Sequence, residues 1–251
     1  MPSTVLLLGD LLSKGRVAVR AMTTVLEARG HEVLCLPTAL ISHTLNLGHA
    51  QVLDTTDYLL QTLRTWEMLH VDYDFLCIGY VTGSAQAHVL ARIADEARAK
   101  GKPVLVDPIL GDGGKKYNAV TEDQVEGMRE LCEHADLITP NLTEAGLLTG
   151  CSGDVGSLCN LLGRGKSVLI TGCPGNDESQ GAIIGWDARR SAPVDVRFAR
   201  IPGHHFGTGD MFSAVLVDAL LSGAALEEAA RRASMEVADA IRRNENRASC
   251  L

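Results

Sequence analysis

The chain lacks any apolar run long enough to cross a membrane: nothing in its 251 residues approaches the ~20 that a spanning helix needs. Its opening, Met1-Pro-Ser-Thr-Val-Leu-Leu-Leu-Gly9, has no basic region and reads as a first strand rather than a signal peptide, so a cytoplasmic protein is expected. A basic face is missing too. The net charge of −8 argues against a nucleic-acid binder, yet a nucleotide stays open, because a local nest of N–H groups binds phosphate whatever the net charge. Seven scattered cysteines form no CxxC pair, which leaves neither a disulfide framework nor a zinc site. No GxGxxG follows the first strand, no GxxxxGK[ST] occurs and no GxSxG elbow is present. A Rossmann site, a P-loop and an α/β-hydrolase each lose their signature.

What is present is alternation. Buried-type strands are expected at 4–8, 32–36, 73–78, 102–106, 136–138 and 167–170, and helices at 15–29, 57–70, 84–100, 121–134, 142–148, 154–162 and 226–243. Ser84 is the expected cap of its helix. Residues 181–186 and 194–200 read as an antiparallel pair. The exit at 37–48 is too polar and broken for a regular element, 109–117 is a glycine-rich mobile loop, and 244–251 is a frayed polar tail. The pattern predicts an α/β fold with a mostly parallel sheet covered on both faces, in one domain over 1–251 without internal repeats. Ligands of such sheets bind beyond the carboxyl ends of the strands. His43-Thr44, Gly79-Tyr80 and Asp107 all stand there.

The organising stretch comes late: Gly207-Thr208-Gly209-Asp210, then a helix apolar nearly all round that stops at Ser222-Gly223. Two glycines at a helix start, with unpaired N–H groups and the positive dipole end, make an anion site. Asp210 has two readings. It could serve the helix start as a favourable charge or cap. It could instead deprotonate a substrate hydroxyl while the neighbouring N–H groups hold a phosphoryl group. Asn141 and Glu144 are similarly divided, since their spacing also makes a plain capping box.

The order of motifs decides between them: Leu36-Pro-Thr…Ser42-His-Thr44, Gly79-Tyr80, Asp107-Pro-Ile-Leu-Gly-Asp112, Thr139-Pro-Asn-Leu-Thr-Glu144 and Gly207-Thr-Gly-Asp210. Together they closely resemble the pyridoxal/pyridoxamine kinases, a branch of the ribokinase-like superfamily, over nearly the whole chain. The resemblance implies a ribokinase-like three-layer α/β/α fold. It implies Asp210 as catalytic base, with Gly207, Thr208 and Gly209 as the anion hole. Asp107, Asn141 and Glu144 would organise magnesium, its waters and the ATP phosphates, with Asp107 and Glu144 as the metal-side carboxylates. Thr171 and Gly172 would meet the nucleotide phosphates, and Asp112 and Tyr117 would cover ATP and substrate. His43, Thr44 and Tyr80 would form the pyridine-ring pocket. Asp10 stands where many members place a serine, and a carboxylate there could accept a bond from a ring hydroxyl or an amine. Gly172 likewise replaces a frequent serine.

The function so implied is phosphorylation by ATP and Mg2+ of the 5′-hydroxymethyl group of pyridoxal, pyridoxamine or pyridoxine. A monovalent cation such as K+ is an open addition, and a homodimer is the implied assembly. A hydroxymethylpyrimidine kinase shares fold and terminal motif, but Ser13-Lys-Gly-Arg-Val-Ala18 replaces the usual glycine-rich opening. A non-catalytic vitamin B6-binding protein is the alternative from another class.

Overall fold

Thr4–Leu12 forms β1 because its apolar run is buried on both faces, as a central parallel strand requires. The computed structural model describes residues 2–47, 49–203 and 205–248, with backbone alone for Asn46 and 244–248. The further strands are β2 (Glu32–Ile41), β3 (Val52–Asp54), β4 (Phe75–Ile78), β5 (Val104–Val106), β6 (Gly111–Asp112), β7 (Lys115–Lys116), β8 (Leu137–Ile138), β9 (Ser167–Pro174), β10 (Gln180–Asp187) and β11 (Ala192–Ala199). Among the described residues, nine of them make one sheet in the order β11-β10-β9-β8-β5-β4-β1-β2-β3. The five central pairings from β9 to β2 are all parallel, while β3, β10 and β11 join antiparallel at the two sides.

Successive residues of β1 feed opposite cores. Val5 and Leu7 pack with α1 (Ala18–Glu27), α7 (Thr208–Leu221) and α8 (Leu226–Ala248). Leu6 and Leu8 pack with α2 (Thr56–Met68), α3 (Ser84–Ala99), α4 (Glu122–Glu133), α5 (Leu142–Thr149) and α6 (Val155–Leu162). The three expected layers are therefore present.

Several local expectations need correction. The 37–48 exit is not irregular throughout, because β2 continues to Ile41. Its register against β1 slips between Gly9↔Pro37 and Asp10↔Ala39, leaving Thr38 as a bulge, and β3 then pairs with Ala39–Ile41. A bulge in β2, the penultimate strand of the sheet, also accommodates Pro37. The 109–117 segment is not a free loop: β6 and β7 form a hairpin whose turn, Gly113-Gly114, takes φ 59° and 80°. Ser84 does not cap α3. Asp123 of α4 does so from outside, accepting from Ser84 N at 2.9 Å and Ser84 Oγ at 2.6 Å. Gly127 permits that approach, since a Cβ there would lie 2.7 Å from Ser84 Cα. The last helix runs through Ala248, so 244–248 is helical rather than a tail; 249–251 lies outside the described residues. Cys77, Cys132, Cys159 and Cys173 are buried free thiols and Cys35 and Cys151 exposed ones, while Cys250 is outside the described residues.

Candidate active site

α7 starts from Gly207 at φ 77°, a left-handed conformation that glycine adopts without cost, and no side chain caps the helix. Asp210 is thus not consumed as a cap. The amides of Thr208 and Gly209 open the helix with no carbonyl behind them inside it. A Cβ on Gly209 would meet nothing within 4 Å, so the side-chain face of the helix start is open at that position. The Thr208 hydroxyl donates to His205 O at 3.1 Å, turned toward the preceding loop. Asp210 curls back over Gly207, its Oδ2 3.9 Å from where a Cβ would stand. The Ala18 N–H at the head of α1 approaches the same carboxylate. Ala18 has φ 55°, a left-handed conformation that costs a residue with a Cβ about 1 kcal/mol or more. Two helix N-termini, one of them strained, therefore converge on one acid.

Asp10, Asp107 and Asp210 line a single cavity with Gly79 and Ile109 at the carboxyl ends of β1, β4 and β5. Asp107 and Asp210 keep some surface toward the cavity yet are packed by protein on their other sides. Burial, and then the Asp210 charge, push Asp10 up to about 7. Burial likewise lifts Asp107 to about 7 against a 2.7 Å hydrogen bond from Ser213 Oγ. Asp210 is raised by burial, opposed by backbone N–H groups. Glu144, 4% exposed, is raised well above the carboxylate range by burial and by Asp107. The Thr139 hydroxyl is near enough to Asp107 to hold its pKa down, but it makes no hydrogen bond of normal geometry. Two buried and two half-buried acids, coupled Asp10 to Asp210, Asp210 to Asp107 and Asp107 to Glu144, favour a bound cation or bound protons.

Among the described residues, no group of three or more His, Cys, Asp or Glu is placed to hold a metal alone. Asp107 and Glu144, with the orphaned Thr139 oxygen, offer a small, all-oxygen donor set. Such a set fits magnesium, which keeps waters and takes phosphate oxygens for the rest of its shell.

Asn141 and Glu144 do form the capping box of α5, with Asn141 Oδ1 accepting from Glu144 N at 3.0 Å and Glu144 Oε2 from Asn141 N at 2.9 Å. The same side chains reach further. Glu144 Oε1 accepts from Leu110 N at 3.1 Å, and Asn141 Nδ2 donates to Gly111 O at 2.8 Å. They thereby anchor the β6–β7 hairpin, which Thr143 Oγ1 also grips through Gly114 N at 2.8 Å. The hairpin carries exposed Asp112, and Tyr117 follows it. The Tyr117 hydroxyl is pushed up by burial and by the charges of Glu144, Asp112, Asp210 and Asp107, which puts it beside the acids. Thr171 pairs with Asn141 across a β-bridge, and Gly172 at φ 68° faces open space.

Ala18, which lines the acid cavity, also belongs to a buried apolar cluster with Leu12, Ala39, Ile41, Leu45 and Tyr80. Tyr80 is 2% exposed and tightly held: Gln124 Nε2 donates to its hydroxyl at 3.0 Å and Thr38 Oγ1 to its carbonyl at 2.7 Å. Thr44 sits at the rim, its Cγ2 3.2 Å from a Cβ built on Gly15. His43 Nδ1 lies 2.9 Å from Ser42 Oγ.

Comparison with known proteins fixes the relationship. The sequence model of the phosphomethylpyrimidine kinase family matches residues 21–249. A pyridoxine/pyridoxal/pyridoxamine kinase of Bordetella avium is 32% identical over 90% of this chain and 80% of its own length. The chain belongs to the family of phosphomethylpyrimidine and pyridoxal kinases. Within that family, the pyridoxal kinase of Lactobacillus plantarum superposes with a TM-score of 0.82 at 31% identity, covering 96% of this chain and 90% of its own. The pyridoxal kinase of Leishmania donovani, solved with ADP, gives 0.83 at 26% identity over 97% and 88%.

Four residues at the site take no role from the sequence: Ser213, Thr139, Gln124 and Ala18. Ser213 alone left a trace, as a hydroxyl one turn after Asp210 in an otherwise apolar helix. Gln124 looks like the far half of a capping box, which it also is. Thr139 opens the Thr139-Pro-Asn motif without marking a role for its hydroxyl, and nothing local marks the strained Ala18.

Proposed function

We propose that the chain, as a single kinase domain, transfers the γ-phosphoryl group of ATP to the 5′-hydroxymethyl group of a vitamin B6 vitamer. The observation that carries this reading is the start of α7. Asp210 is not used as a cap and is desolvated, it adjoins the amides of Thr208 and Gly209 that open the helix, and it lines the acid-rich cavity that shares Ala18 with the Tyr80 cluster. The ring would lie near His43, Thr44 and Tyr80, with its hydroxymethyl oxygen at Asp210, which takes the proton as the oxygen attacks phosphorus. The amides of Gly207, Thr208 and Gly209 would bind the charge on the moving phosphoryl group. Thr171, Gly172 and Asn141 would orient the nucleotide, and Asp112 and Tyr117 on the hairpin would exclude water. Asp107 and Glu144 would hold Mg2+, which neutralises phosphate charge when bound.

A cytoplasmic location agrees with the free cysteines. A homodimer agrees with the edge strand β3, where Val52, Leu53 and nearby Tyr58 are exposed. A hydroxymethylpyrimidine kinase is the second reading, favoured by the family model that matches. ADP release with MgATP, measured on pyridoxal, pyridoxamine, pyridoxine and hydroxymethylpyrimidine, tests these readings. Turnover of a vitamer supports the proposal. Turnover of the pyrimidine alone replaces the substrate, and no ATP consumption on any leaves a binding protein.

A further inference from the structure

The place of Tyr80 is set from outside its own strand. Residues 79–83 belong to no regular element, yet Tyr80 and Val81 are only 2% and 1% exposed. Buried irregular backbone has to find its partners among side chains. Four elements supply them here. Thr38 of β2 donates to the Tyr80 carbonyl at 2.7 Å, and Gln124 of α4 donates to the Tyr80 hydroxyl and to the Val81 carbonyl. Gln86 of α3 accepts from Thr82 N at 2.9 Å, and Asp54 of β3 accepts from the Thr82 hydroxyl.

Gln86 reaches beyond that segment. It is buried, and its Nε2 donates to Thr38 O at 2.8 Å and to Thr56 Oγ1 at 2.8 Å. Thr38 is fully buried and is the bulge residue, outside the β1–β2 register. Its carbonyl is held by Gln86 and by Thr55 N at 3.2 Å. Gln86 thus fixes Thr38 by its carbonyl, and Thr38 fixes Tyr80 by its hydroxyl. Two bonds in series set the separation of β2 from Tyr80. Ala39 and Ile41, which follow the bulge on β2, pack in the same cluster as Tyr80. Bulges recur beside active sites, where they re-aim a side chain.

We propose that Gln86 and Thr38 are positioning residues that hold Tyr80 in advance as a wall for the ring substrate. This rests on the kinase reading, which places the ring near Tyr80. Neither residue lines the acid-rich cavity, and both act through Tyr80. A wall held before binding spares the ordering cost that a loose side chain incurs when the ring arrives. Loss of either bond should therefore weaken ring binding about three- to tenfold and leave the nucleotide side untouched.

The test uses the full chain with its Thr38→Val, Thr38→Ser and Gln86→Met variants and the Thr38→Val/Gln86→Met double variant. KM and kcat are measured for MgATP and for the vitamer that the parent turns over fastest. Thr38→Val keeps the shape and removes the hydroxyl, whereas Thr38→Ser keeps the hydroxyl. The expected result is a vitamer KM raised about three- to tenfold in Thr38→Val and Gln86→Met, with KM for MgATP within about twofold and Thr38→Ser close to the parent. The double variant should lose less than the product of the single losses, because both bonds act through one side chain. A vitamer KM within about twofold of the parent in both single variants overturns the proposal. So do vitamer and ATP KM values that rise together, or a Thr38→Ser variant that loses as much as Thr38→Val. If Gln86→Met does not fold, the two Thr38 variants decide. If the parent turns over no vitamer, the kinase reading falls separately, and equilibrium binding of pyridoxal to the same proteins decides by the same ratios. A parent that binds no pyridoxal overturns the positioning role as well.

Discussion

Removing the charge of Asp10 should stabilise the unliganded protein at neutral pH, and the size follows from its surroundings. Its pKa stands at about 7 against an ordinary 3.8, through burial first and Asp210 second. Each unit is worth about 1.4 kcal/mol, so the penalty above pH 7 has an upper limit of about 4 kcal/mol, which relaxation and water entry reduce. The folded-state value lies above the unfolded one. The favourable, protonated form is therefore fully present below about pH 4, and its contribution is lost as pH rises through about 7. Asp10→Asn should match the parent at pH 4.5 and exceed it by about 1–3 kcal/mol at pH 7.5, or several degrees in Tm for a chain of this length. Denaturant unfolding of the nucleotide-free proteins at pH 4.5, 6 and 7.5 reads this directly. Subtracting one protein from the other cancels groups that titrate the opposite way, such as Asp54 and Asp154. Equal stability at pH 7.5, or a variant weaker by the same amount at every pH, would refute the reasoning.

Ser213→Ala removes the 2.7 Å bond that holds the Asp107 carboxylate charged. The acid limb of kcat/KM should move to higher pH and KM for MgATP should rise about three- to tenfold, as a pH–rate profile would report. Gly207→Ala places a Cβ 3.1 Å from Arg16 O at φ 77°. It should cost about 1–2 kcal/mol of stability and lower kcat at least about tenfold, by thermal unfolding and steady-state kinetics. Gln124→Leu frees the Tyr80 hydroxyl and unpairs the Val81 carbonyl, which Gln124 Nε2 meets at 2.8 Å. KM for the ring substrate should rise about three- to tenfold while KM for ATP stays put.

The parts of this molecule legible in its sequence are those that local chemistry dictates. Strand–helix alternation forecast the layers, and the glycines before Asp210 forecast a helix start there, while leaving open whether Asp210 caps it. Asn141 and Glu144 show why single residues mislead. Their spacing reads correctly as a capping box, and only the fold reveals that the same atoms tether the β6–β7 hairpin. The extension of β2 and the addition of β3 were hidden because pairing across Ala39–Ile41 is decided by a partner strand rather than by propensity. Ser84 misled for a like reason: Asp123, 39 residues away, supplies the cap that its own hydroxyl would otherwise provide. The coupling of Asp10 to Asp210 and of Asp107 to Glu144 is a property of burial in three dimensions, which no spacing encodes.

The central claim is that Asp210 is the base rather than a helix-start charge. Asp210→Asn keeps the size and the helix while removing proton acceptance. The decisive measurement is its turnover with MgATP and the preferred alcohol, beside its ATP affinity. A kcat lower by at least about 1,000-fold with ATP affinity within about threefold is the result this account predicts. Turnover within tenfold of the parent would contradict it.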